Sequence, residues 1–171
     1  MPALNPLARP RMKEIRDMTP KAFQDYYRDD GSHCYGCGRL NDHGLKVKSY
    51  WRDDGQSVCH FTPQAYHSAM PGYVYGGLIA SIIDCHATGT AAAAACRAKN
   101  RTMDVDPPLR FVTASLHVDY LKPTPLGITL ELRGEVREIK DRKVVVDVVL
   151  FAKNTLCVRG QVVAVQLPDH L

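Results

Sequence analysis

From Gly76 to Cys96 the chain runs for 21 residues with Asp84 as its only charged side chain. That length is close to the ~20 residues that cross a bilayer. A span is not the expected reading. Asp84, His86 and several small polar residues interrupt the stretch, and alanine dominates its second half. A buried helix over roughly Gly77 to Lys99 fits better. A single helix that is apolar on nearly every face must be enclosed by the rest of its domain.

The enclosing material is legible on both sides. Leu45–Trp51 and Ser57–Phe61 flank Asp53-Asp54-Gly55-Gln56 and predict a hairpin. Thr62 to Tyr75 predicts a loop with Pro63, Pro71 and Gly72. After the helix, 100–109 is a second loop. In Phe111–Leu121, Val112, Ala114, Leu116, Val118 and Tyr120 alternate with Thr113, Ser115, His117 and Asp119, which predicts a half-buried strand. Ile128–Val136, Val144–Ala152 and Leu156–Val165 complete the series. Two strands, one long helix and four strands joined by short turns predict an α+β domain with an antiparallel sheet wrapped around one central helix. No second helix is available for the outer face of the sheet, so part of it is expected to meet another subunit.

With 171 residues the chain suits one domain. We divide it into an N-terminal extension, residues 1–30, and a main domain, residues 31–171. Within 11–28, Met12, Ile15, Phe23 and Tyr27 predict a surface helix, interrupted at Pro20. Met1 to Pro10 holds no apolar run of the kind that opens a secretory signal. Six cysteines in a chain of this length are not a disulfide framework, and Cys85 and Cys96 fit small buried hydrophobes. A cytoplasmic setting is therefore expected. The net charge, 22 − 18 = +4, suits a phosphate-bearing small molecule. It is too small and too dispersed for nucleic acid.

Asp84 carries the chemistry. An unpaired carboxylate taken out of water costs several kcal/mol. Gly77, Ser81, Asp84 and Thr88 share one helical stripe, so small polar groups are expected around it. Burial raises such a carboxyl's pKa, and donors such as Ser81 or Thr88 lower it. A group so poised acts as a base or a nucleophile. The competing reading is a core aspartate satisfied by a strand or loop. His86 falls on a different helix face and fits a packed or interface residue.

Gly76-Gly77 opens the helix. First-turn amides lack intrahelical partners and can polarise a carbonyl oxygen. Alternatively, the pair only makes a tight turn. Gly76 and Asp84 lie ~12 Å apart along the axis, too far to serve one carbonyl carbon within one chain. An isologous dimer with antiparallel central helices would bring each Gly76 near the other chain's Asp84.

Pro71-Gly72-Tyr73-Val74-Tyr75-Gly76-Gly77-Leu78-Ile79-Ala80-Ser81-Ile82-Ile83-Asp84 resembles the helix entry of hotdog-fold acyl-CoA thioesterases. These include the phenylacetyl-CoA (PaaI-like) and 4-hydroxybenzoyl-CoA thioesterase groups. Their pattern is roughly H-G-G-x-x-x-x-x-x-[DE], with Asp84 at the acidic position. His117-Val118-Asp119-Tyr120-Leu121-Lys122-Pro123 resembles the family's next strand, and Cys34-Tyr35-Gly36-Cys37-Gly38 with Asn41 and His43-Gly44-Leu45 resembles the entry to its first. The resemblance covers residues 34–167. It implies a hotdog fold and hydrolysis of acyl-CoA. Asp84 would activate water or attack the thioester, the Gly76 amide of a partner chain would hold the carbonyl oxygen, and Thr88 would supply a helper hydroxyl. Tyr75, Gly77, Ser81 and Lys122 become substrate-binding candidates. No cofactor is implied beyond the coenzyme A of the substrate, and a homodimer or dimer of dimers is expected. Two residues depart from the pattern: Tyr75 stands where its His is usual, and Ala69 where several relatives carry a polar residue. Those departures keep open a non-catalytic acyl-CoA sensor. A dehydratase would need a His paired with an acid, and neither His86 nor His117 is suitably placed.

Cys34-x-x-Cys37, with His33 and His43 nearby, invites a zinc reading. The spacing matches no familiar pattern, and two loop thiols packed beside the first strand are expected instead, with no metal. Lys122, Lys140, Arg142 and Lys143 fit phosphate contacts or solvated turns equally well.

Overall fold

A computed structural model of the chain describes residues 20–168. One helix, α1 (Gly76–Ala98), lies against a six-stranded antiparallel sheet. The strands in chain order are β1 (Ser49–Trp51), β2 (Ser57–Phe61), β3 (Ser68–Met70), β4 (Tyr73–Val74), β5 (Phe111–Tyr120), β6 (Leu130–Lys140), β7 (Lys143–Ala152) and β8 (Thr155–Gln166). The large sheet has the order β1-β2-β6-β7-β8-β5. The segment expected as loop between β2 and α1 closes into a small ladder, β3 with β4, around Pro71-Gly72, where Gly72 has φ 86°.

Alternation builds the sheet's inner face. Along β7, Val144, Val146, Val148, Leu150 and Ala152 are buried while the residues between them are not. They meet Ile79, Ile82, Ile83, Ala87, Ala91 and Ala95 of α1 in one core. The alanines of the second half of the helix, Ala91 to Ala95, are all buried. Although α1 is long and apolar enough to cross a membrane, 78% of its most apolar window is buried inside the fold.

The expected N-terminal helix is different. Its residues 11–19 lie outside the described region, and Phe23–Tyr26 makes a single 3-10 turn. That turn faces inward. Phe23 packs on Trp51 with ring centroids 5.1 Å apart, and the buried Gln24 carboxamide pairs with β1, accepting from the Ser49 N–H at 2.8 Å and donating to Ser49 Oγ at 3.0 Å.

His86 completes this polar cluster. Its Nδ1 is 2.9 Å from Ser49 Oγ and its Nε2 3.3 Å from Ser57 Oγ, which also bonds Thr90 Oγ1 at 2.6 Å. Complete burial pushes the imidazole down to about 3, so it is neutral and structural.

Candidate active site

The polar stripe on α1 divides between two clefts. Asp84 and Thr88 line a cleft of about 480 Å³, together with Cys34, Cys37, Met103, Leu109, Phe111 and Thr113. Gly77, Ser81 and Tyr75 line a second, of about 390 Å³, with Tyr35, Tyr66 and His67. Lys122 is exposed just past β5 and lines neither.

Asp84 is half-buried rather than sealed in the core. Its Oδ1 accepts a hydrogen bond from the Thr113 hydroxyl of β5. The two expected helix donors are spent elsewhere. Ser81 Oγ donates to the Gly77 carbonyl at 2.9 Å, and Thr88 Oγ1 to the backbone carbonyl of Asp84 at 2.8 Å. A hydroxyl four residues on reaches the preceding turn's carbonyl more readily than it reaches a side chain. Thr88 still joins the site indirectly, 3.1 Å from Thr113 Oγ1. Burial pushes the Asp84 carboxyl above the ordinary carboxylate range, the Thr113 bond pulls it back, and the nearby Cys34 sulfur pushes it up again.

Thr113 was not legible as a site residue. Strict alternation groups it with Ser115, His117 and Asp119. A register shift between Thr113 and Ser115 breaks the alternation. Thr113 and Tyr120 are 120 − 113 = 7 residues apart and would face opposite ways on a regular strand. Across the bulge both reach α1, for Tyr120 donates its hydroxyl to the Gly76 carbonyl at 2.7 Å.

At the helix start, the Leu78 and Ile79 amides bond the Tyr75 carbonyl. The Gly76 and Gly77 amides take no partner among the described residues. The exposed Tyr75 ring lies over Gly77, where a Cβ would come within 2.4 Å of it. Gly77 thus gives the ring its room.

A third thiol joins the C-x-x-C pair. Cys85 is buried in the core, as expected of a small hydrophobe, and its Sγ is also 3.7 Å from that of Cys34, with all three sulfurs within 4.8 Å of one another. His33 and His43 are exposed and stand apart from the group. Hydrogen bonds from Cys37 and Cys85, then from the Cys37 and Gly36 amides, hold the Cys34 thiol far below its ordinary range. The same contact with Cys34 pushes Cys37 and Cys85 up.

One long helix clasped by a six-stranded antiparallel sheet, with a carboxylate on its cleft face, is the α+β hotdog arrangement. Residues 71–163, more than half of the chain, match the thioesterase superfamily model, and the chain belongs to that superfamily. A thioesterase superfamily protein from Shewanella loihica PV-4 is 50% identical, with a TM-score of 0.62 over 83% of this chain and 100% of that one. The E. coli PaaI protein, from the phenylacetic acid degradation operon, shares the fold at 18% identity, with a TM-score of 0.58 over 72% of this chain and 81% of that one. Acyl-coenzyme A thioesterase THEM4 of Xenopus laevis is 35% identical over 95 residues, 56% of this chain and 37% of that protein. Its Rattus norvegicus counterpart is 28% identical over 115 residues, 67% of this chain and 44% of that protein. The chain thus spans less than half the length of the curated relatives it matches.

Proposed function

We propose that the chain hydrolyses acyl-CoA thioesters to the free acid and coenzyme A, as a homodimer with two equivalent sites. The observation that carries this is Asp84: a half-buried carboxylate, oriented by Thr113, at a cleft whose walls include Met103, Leu109 and Phe111. Those apolar walls suit an acyl group. Asp84 removes a proton from water, which attacks the thioester carbonyl carbon, or attacks that carbon itself to give an anhydride that water then opens. Either way the thiolate of coenzyme A leaves. The partner subunit's Gly76 supplies the amide that takes the developing oxyanion, since its own chain's Asp84 is too distant.

The edge strand β5 supports the dimer. It is the last strand of the sheet, ten residues long and exposed along most of its length, with Val112 and Leu116 facing solvent. An uncovered edge of that length invites pairing with a second copy. The exposed Tyr35, Tyr66, Tyr73, Tyr75 and Tyr120 add apolar surface near the helix start. The six free cysteines fit the cytoplasmic location.

A second reading, an acyl-CoA binder without turnover, is favoured by the Tyr75 ring over Gly77. One experiment separates the two. Thiol release is followed across short, long and aromatic acyl-CoAs for the natural chain and Asp84→Asn. Turnover that falls by about 10²–10⁴-fold in Asp84→Asn, with the melting curve kept, is the expected result. Unchanged turnover removes Asp84 from the mechanism. Thermal stabilisation by acyl-CoA with no thiol release from the natural chain establishes the binder.

A further inference from the structure

Three thiols from two distant parts of the chain converge beside α1. Cys34 and Cys37 sit in a tight turn closed by the Gly38 amide donating to the Cys34 carbonyl at 2.8 Å. Cys85 comes from the middle of the helix. The approach of Cys85 dictates Gly36, and the tightness of the turn itself dictates Gly38. A Cβ on Gly36 would stand 2.1 Å from Cys85 Sγ, and one on Gly38 2.5 Å from the Cys34 backbone nitrogen.

The turn is also held from outside. The Leu45 amide bonds the Tyr35 carbonyl at 2.8 Å and the Val47 amide bonds that of Gly36 at 2.9 Å. Lys46 Nζ bonds the carbonyls of Gly38, Arg39 and Asn41. Side chains that only fill volume need no such convergence of sulfur on sulfur. A zinc ion bound at about 2.3 Å by tetrahedral thiolates sets their sulfurs about 3.8 Å apart. The Cys34–Cys85 separation of 3.7 Å already has that value, and the remaining separations lie within reach of it by side-chain rotation.

We infer that Cys34, Cys37 and Cys85 form a zinc site, with the fourth position open to the cleft that all three residues line. Three protein ligands and one solvent-facing position are the usual pattern of an accessible zinc site. Binding releases the thiol protons to solvent and ties the Cys34–Gly38 turn to α1. This departs from the metal-free expectation of the sequence, because the decisive third ligand is 85 − 37 = 48 residues beyond the motif. The site holds whether or not the chain hydrolyses thioesters.

The test measures metal directly. The full chain is purified under reducing conditions from zinc-supplemented cells, and its zinc is determined by mass spectrometry. Close to one zinc per chain is expected. Cobalt replacement should give a thiolate-to-cobalt charge-transfer band. Cys34→Ser, Cys37→Ser and Cys85→Ser should each weaken binding at least about tenfold. Cys96→Ala, three helical turns away among alanines, should bind as the natural chain does. Because Cys34 is exposed, Cys34→Ser keeps the test valid if the buried variants fail to fold. Two results overturn the site: a natural chain that binds no more zinc than Cys34→Ser, or thiol titration showing Cys34 and Cys85 joined as a disulfide in the reduced preparation.

Discussion

The hydroxyl of Thr113 shows how one side chain sets another's readiness. It holds Asp84 Oδ1 and stands 3.1 Å from Thr88 Oγ1, so it fixes the carboxylate's direction. Thr113→Val keeps the shape and deletes the donor. Turnover of acyl-CoA should fall roughly tenfold, equivalent to the ~1.4 kcal/mol of one hydrogen bond to a charged group. Thr113→Ser should restore most of it, with the melting temperature steady in both. His86 works differently, since it touches Ser49 and Ser57 and lies away from the cleft. His86→Ala leaves a void and two buried hydroxyls short of a partner. Chemical denaturation should show a loss of about 2–4 kcal/mol.

Among the elements, α1 and the strands repay different kinds of reading. The helix is declared by its composition, and its limits in the structure differ by one residue at each end from those expected. The strands β6, β7 and β8 are declared by alternation. Where β6 crosses the helix the fit is tight. A Cβ on Gly134 would lie 2.4 Å from Ser57 Oγ and 3.0 Å from His86 Nε2. Gly134→Ala should therefore cost about 1–3 kcal/mol through overpacking, read as a lower urea midpoint with an unchanged slope. Strand β5 defeats alternation. Its pattern promised a half-buried strand, but in a single chain nearly every residue is exposed, and the bulge before Ser115 reverses which side chains face the helix.

For the whole molecule, the two clefts matter most. One chain puts its carboxylate in the first, while Gly77, the helix-start residue next to Gly76, lines the second. The proposed dimer reunites them across β5. A lysine in place of Leu116, exposed on that strand, should break the pairing by placing charge in the interface. Light scattering should then report a monomer, and acyl-CoA turnover should be lost although Asp84 and Thr113 are untouched. A monomer that keeps full turnover would show that each chain's site is complete.

Local pattern alone supplied the helix, the six strands of the large sheet as they follow along the chain and Asp84 as the residue to watch, but neither their order in the sheet nor the β3–β4 ladder. Hydrophobic periodicity and the cost of a carboxylate in an apolar helix are properties of neighbours in sequence. The donor to that carboxylate, the third thiol beside Cys34 and Cys37, and the division of the polar stripe between two clefts were settled only by tertiary structure. Each depends on residues tens of positions apart meeting in space, and Thr113 further depends on a bulge that no alternation announces.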